Sequence, residues 1–182
     1  MALANTYRRR LHDRALDQYG YVTTKNAEVC GVPAVELRKM ATRGGVRRVA
    51  HGLYRFEDVP ATKYDQFMEA VLRVGAGAHL TRDAVLSFHD LGLVNPRRIR
   101  VGTPNRTRAK MPDFIEVVHE KLDPRDCTLY EGVPSMTVAK ALLDWKKTAM
   151  ADRFADAARD ALQRGLLRRG EATGLFGETA VT

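Results

Sequence analysis

The chain has 182 residues, 45% of them hydrophobic, enough for one domain or two small ones with a core and too apolar for a disordered chain. No apolar run approaches a bilayer-spanning length, and the arginines near the N-terminus lead into no apolar signal-peptide segment, so a cytoplasmic protein without membrane contact is expected. The net charge is +8, of which residues 1–55, with 11 Lys+Arg against 4 Asp+Glu, carry +7; either the first third meets a polyanion or it is a basic surface kept for solubility.

Residues 6–18 read as a helix, with Tyr7, Leu11 and Ala15 at helical spacing and Gly20 ending it. Tyr21-Val22 is a short extended piece. Thr23 or Thr24 then caps a second helix over residues 25–30, closed by Gly31. Pro33 suits the first turn of a third helix that runs to about Arg43 and stops at Gly44-Gly45. Residues 46–49 and 53–56 form a hairpin around a His51-Gly52 turn. The stretch 57–63, with Pro60, reads as a linker.

Beyond it, residues 64–74 read as a helix, and Thr81 caps another containing Ala84, Val85 and Phe88. Residues 99–101, 114–119 and 127–130 read as strands. Ser135 or Thr137 opens a helix with Val138, Ala141, Leu142 and a core Trp145 on one face. Residues 152–167 form the last helix, and the tail from Gly170 is expected to fray. Cys30 and Cys127 have no metal or disulfide pattern and read as small buried hydrophobes. The fold class is α+β: an N-terminal winged helix-turn-helix DNA-binding domain over 1–57, and a second domain over 64–182 in which helices pack on a small sheet.

At 100° per residue, the third helix puts Pro33, Leu37, Met40 and Ala41 on the core side. Val35, Arg38, Lys39 and Thr42 lie opposite, flanked by Ala34 and Arg43. That mixture suits a major groove: Arg38 can bond guanine O6 and N7, Val35 can touch a thymine methyl group, and Lys39 or Arg43 can neutralise phosphate. An ordinary solvated basic helix would carry the same charges. Arg47 and Arg48 are adjacent on a strand, so at least one points outward. His51 is a turn residue or a phosphate contact. Thr23, Thr24 and Lys25 can cap, meet phosphate, or do both. Arg8, Arg9 and Arg10 form a basic arm or a disordered end.

The segment YGYVTTKNAEVCGVPAVELRKMATRGGVRRVAHGLYRF resembles the N-terminal winged-helix domain of AbiEi-type antitoxins. The shared features are Thr24 leading a helix, the Gly31-Val32 turn, Leu37, the Arg43-Gly44 stop and Gly52-Leu53-Tyr54. Further on, HLTRDAVLSFHDLGL, IRVGTP, GVPSMTVAKALLDW and AARDALQRGLL follow the family's second domain in order, so the likeness runs from about 15 to 168. It implies an antitoxin of a bacterial toxin–antitoxin pair, often a phage-defence module. It implies a repressor that binds inverted repeats at its own promoter as double-stranded DNA. It also implies that 64–182 supplies antitoxin activity, in a form trimmed for the family, against a nucleotidyltransferase-like toxin.

A second basic patch comprises Arg97, Arg98, Arg100, Arg106, Arg108 and Lys110; it extends the DNA footprint, meets the partner, or is a locally basic loop. A nuclease is the sharpest enzymatic rival, but Asp113, Glu116 and Glu120-Lys121 lack the acid-x-lysine spacing that holds Mg²⁺, since His119 stands two before Lys121. His79, His89 and His119 have no metal-ligand spacing, and no nucleophile triad or phosphate loop is present. No enzymatic activity, cofactor or metal is expected. The alternatives are a transcriptional regulator without a toxin partner and a module that docks protein in place of DNA.

Overall fold

The computed structural model describes residues 2–176. The chain divides into two compact units, Met1–Arg73 and Val74–Thr182.

The first unit runs α1 (Ala2–Leu16), β1 (Tyr21–Thr23), α2 (Thr24–Val29), α3 (Ala34–Arg43), β2 (Val46–Ala50), β3 (Leu53–Phe56) and α4 (Asp65–Val74). The strands form an antiparallel sheet in the order β1-β3-β2. Leu11 and Ala15 of α1, Ala27 of α2, Leu37 and Met40 of α3, and Tyr54 and Phe56 of β3 share one core. Each comes from the apolar face that periodicity marks, and removing that face from water is the main stabilising term. Two expectations change here. Residues 8–10 are neither arm nor loose end but part of α1, with Arg8 held to Asp58 at 2.9 Å and stacked over Phe56. Pro33 is the exposed residue just before α3, its fixed φ of −58° leading into the helix, so it does not face the core.

The unit boundary lies at 73/74, beyond the 57–63 stretch read as a linker. Val59, within that stretch, is buried in the first core. α4 is tied to the sheet by charge: Arg55 of β3 donates to Asp65 at 2.7 Å, and the Tyr21 hydroxyl donates to Glu69 at 2.7 Å. Arg73 donates to Glu69 at 2.8 Å and to the Val49 carbonyl at 3.0 Å. Burial and the bond to Glu69 raise the Tyr21 hydroxyl above its usual pKa, so it stays a donor.

The second unit runs β4 (His79–Leu80), α5 (Asp83–Phe88), β5 (Ile99–Thr103), β6 (Ile115–His119), a short 3₁₀ turn (Pro124–Asp126), β7 (Cys127–Tyr130), β8 (Val133–Met136), α6 (Val138–Trp145), α7 (Ala151–Gln163) and α8 (Arg169–Phe176). Its mixed sheet has the order β6-β5-β4-β8-β7. β5 and β6 are parallel, as are β4 and β8, while β4–β5 and β7–β8 are antiparallel. α5 and α6 pack together, and α7 and α8 cover α6.

Three sequence expectations are corrected in this unit, and a fourth, on the cysteines, spans both units. Thr81 does not cap α5: it is wholly buried, with its hydroxyl 3.8 Å from Met136 Sδ, and Arg82 occupies the cap position. The tail does not fray at Gly170: α8 continues to Phe176 and buries Ala172 and Leu175, while residues 177–182 lie outside the described residues. Trp145 is half-buried and not core. Neither cysteine is fully buried: Cys30 is half-buried and Cys127 is exposed on an edge strand. Of the two helix caps considered before α6, Thr137 is the one used, accepting from the Lys140 N–H at 3.3 Å. The unit as a whole is mixed α+β, as is the chain.

Candidate nucleic-acid interface

α3 separates its faces as a helix with four-residue apolar recurrence must. Leu37 and Met40 are buried and Ala41 is half-buried against the core. Val35 is 47% exposed, and Arg38, Lys39, Thr42 and Arg43 are all exposed, with Ala34 half-exposed beside them. The outward stripe is therefore real, but its members are not equally free. Lys39 Nζ lies 2.8 Å from Glu36 Oε1, an ion pair on the helix surface. The Thr42 hydroxyl donates to the Arg38 carbonyl at 3.0 Å. Arg38 and Arg43 make no side-chain hydrogen bond or ion pair among the described residues. Since a surface ion pair is worth about 0–1 kcal/mol, Lys39 can still be drawn away, at that cost.

The hairpin places Arg47 and Arg48 side by side in solvent. Alternation alone would turn one of them inward. β2 is an edge strand, and its pairing with β3 shifts between Arg48 and Ala50, which twists the strand locally. Arg48 bends back toward the Ala50 carbonyl at 3.4 Å, while Arg47 has no such tether. His51 is exposed at the tip, and Gly52 has φ +70°. A Cβ at Gly52 would stand 3.1 Å from the Thr24 hydroxyl, so only glycine closes this turn without strain.

That approach reveals a contact the sequence reading missed. The Thr24 N–H donates to the Gly52 carbonyl at 2.9 Å, pinning the hairpin tip to the start of α2. The Thr23 hydroxyl accepts from the Asn26 N–H at 3.0 Å, and the Asn26 side-chain oxygen accepts from the Thr23 N–H at 2.9 Å. This is a reciprocal cap with asparagine in the place usually held by Glu or Gln. Gln18 adds a bond to the same oxygen at 3.1 Å. Both threonines are thus structural at these atoms, and Lys25 is the exposed cation at this end of α2.

The second basic patch divides as well. Arg97, Arg98, Arg106, Arg108 and Lys110 are exposed around β5 and the loop after it. Arg100 is not part of that free surface: it is held by Asp83 at 2.7 Å and Glu116 at 3.1 Å. Two of the three acids weighed for a metal are likewise engaged, Glu116 with Arg100 and Glu120 with His79 at 3.3 Å, while Asp113 is exposed. Burial works to raise Glu120, but bonds from His79 and Thr81 and the nearby Arg82 outweigh it and hold the carboxyl below its ordinary range. Among the described residues there is no cluster of three or more His, Cys, Asp or Glu able to hold a metal ion, and no helix long and apolar enough to cross a membrane.

No curated protein matches the chain. Among solved structures, the crystal structure of the RV2827C protein from Mycobacterium tuberculosis is similar at 16% identity and a TM-score of 0.45, over 95% of this chain and 72% of that one. A likeness at that level fixes neither fold nor function. A family model described as "Transcriptional regulator, AbiEi antitoxin" matches residues 9–56, the stretch that carries α3 and the hairpin. The resemblance read from the residues is therefore shown over that segment: residues 9–56 match the AbiEi antitoxin family of transcriptional regulators.

Proposed function

We propose that the first unit is a winged helix-turn-helix that binds double-stranded promoter DNA, with α3 in the major groove and the β2–β3 hairpin as the wing. The observation that carries this reading is the α3 stripe: Val35, Arg38 and Arg43 stand outward on the same helix that buries Leu37 and Met40. A rigid helix with an untethered arginine and an apolar side chain on its outer face has what direct base readout needs. In this reading Arg38 reads a base edge, Val35 meets a thymine methyl group, and Ala34 allows close approach. Lys25, Arg43, Arg47, Arg48 and His51 meet the backbone, with Lys39 and Thr42 contributing once released from their local bonds. Thr23 and Thr24 position the frame.

The family match over residues 9–56 favours a regulator of this kind. On that basis we place the protein as a repressor of its own operon and as the antitoxin of a toxin–antitoxin pair, acting without enzymatic chemistry of its own. The exposed arginines around β5 then extend the DNA footprint or meet the toxin. Binding of the full chain to the DNA upstream of its gene, measured over a salt series, tests the first part. The expected log–log slope is steep, about −0.9 per phosphate neutralised, with the upstream sequence bound more tightly than shuffled DNA. Equal binding to both sequences would reject a sequence-specific repressor. Co-expression with a neighbouring nucleotidyltransferase-like gene tests the antitoxin role, which fails if toxicity is unrelieved.

A further inference from the structure

The second unit carries a cleft of about 420 Å³, lined by Arg82, Asp83, Arg100, Asp144, Trp145 and Lys147 among others. That volume is in the range of small-molecule sites. The charged groups of the cleft fall into two sets. Its carboxylates are each bonded through one oxygen: Asp83 Oδ2 accepts from Arg100 at 2.7 Å, leaving Oδ1 buried without a hydrogen-bond partner, and Asp144 accepts from Lys140 at 2.7 Å. Two of its cations are held less firmly, neither by a hydrogen bond to an acid among the described residues. Lys147 is exposed and forms no ion pair among the described residues, and Arg82 reaches Glu120 only at 3.9 Å. The indole N–H of Trp145 makes no hydrogen bond among the described residues. The loosely held groups are thus three donors, one of them on a flat aromatic ring, beside a single unbonded acceptor, Asp83 Oδ1.

Two backbone features hold these donors in place. Arg82 has φ 53° and ψ −126°, a conformation that residues with a Cβ rarely adopt, at the turn where β4 passes into α5. Such strain persists only where the surroundings enforce it, and it gathers at ligand clamps. Gly92 has φ +63°, and a Cβ there would stand 2.6 Å from the Trp145 ring. The indole thus rests on bare backbone, with the Phe154 ring 6.4 Å away.

We propose that this cleft binds a mononucleotide, its base stacked on Trp145 and its phosphate held by Arg82 and Lys147. Base–aromatic stacking tolerates any base, and two cations beside the ring select a phosphorylated ligand over a neutral nucleoside. The inference is independent of DNA binding by the first unit.

Trp145 is the chain's single tryptophan, so tryptophan emission reports on this cleft alone. The full chain is titrated at constant ionic strength with AMP, GMP, CMP and UMP, and in parallel with adenosine and inorganic phosphate. Saturable quenching by at least one nucleotide is expected, with adenosine and phosphate much weaker. Half-saturation should rise about tenfold in Lys147→Ala and in Arg82→Ala. Lys147 is exposed, so its variant keeps the fold and remains decisive if Arg82→Ala does not. The proposal is overturned if no mononucleotide gives saturable quenching, if phosphate alone matches the nucleotides, or if Lys147→Ala binds as well as wild type. Quenching by a single-stranded oligonucleotide but by no mononucleotide also overturns it, in favour of strand binding.

Discussion

The two units treat their arginines differently. In the first, Arg38, Arg43 and Arg47 stand on a helix face and an edge strand with no acid to meet among the described residues, while Arg55 and Arg73 turn inward to Asp65 and Glu69. In the second, Arg100 is paired at the centre of the unit, bridging Asp83 and Glu116, while Arg82 meets Glu120 only at 3.9 Å. A count of basic residues scores all of these alike. What a polyanion meets is the subset left without an internal partner, and in the first unit that subset converges on α3 and the hairpin.

The comparison breaks first at the cores. Phe56 is wholly buried in the first unit, and Phe56→Ala should cost about 3–5 kcal/mol there. DNA binding should be lost, while the thermal transition followed by Trp145 emission, which reports the second unit, should hardly move. A parallel fall in both would show that the units do not unfold separately. Next in size, Arg47→Ala with Arg48→Ala should weaken every DNA sequence alike and reduce the salt slope by about 2, read from affinities at several salt concentrations.

Glu120 sharpens the contrast from the other side. Its carboxyl sits below its ordinary value of 4.5 in the folded chain. It therefore adds stability that is present above 4.5 and is lost as pH falls through the lower folded value. Glu120→Gln should be less stable than wild type at neutral pH by about 1 kcal/mol, with the gap closing in acid, as followed by thermal unfolding against pH. The smallest effect is expected at Lys39. Because Glu36 already holds it, Lys39→Ala should lower DNA affinity by less than Arg38→Ala does, in the same binding assay.

Local pattern made the first unit legible. The 3.6-residue spacing of Leu37 and Met40, the Gly44-Gly45 stop and the His51-Gly52 turn each depend on neighbours in the chain, and each stands where it was expected. The missed features depend on partners far away. β4 is two residues long and exists because β5 and β8 flank it. β8 carries Pro134 and Ser135, one of the two residues expected to open a helix, and it is a strand because β7 and β4 pair with it. The Thr24–Gly52 bond joins α2 to the hairpin tip, and the Asp83–Arg100–Glu116 bridge spans α5, β5 and β6. No periodicity announces such contacts. The arginine-rich stretch 97–110 showed charge but could not show that Arg100 alone is neutralised.

The reading of α3 as a base-reading helix meets its most direct test at Arg38. Affinity of wild type and Arg38→Ala is measured for the upstream DNA and for a shuffled duplex of the same length and salt. The expected result is a loss of about 1–3 kcal/mol on the upstream sequence with little change on the shuffled one. An Arg38→Ala protein that still prefers the upstream DNA as strongly as wild type would contradict it.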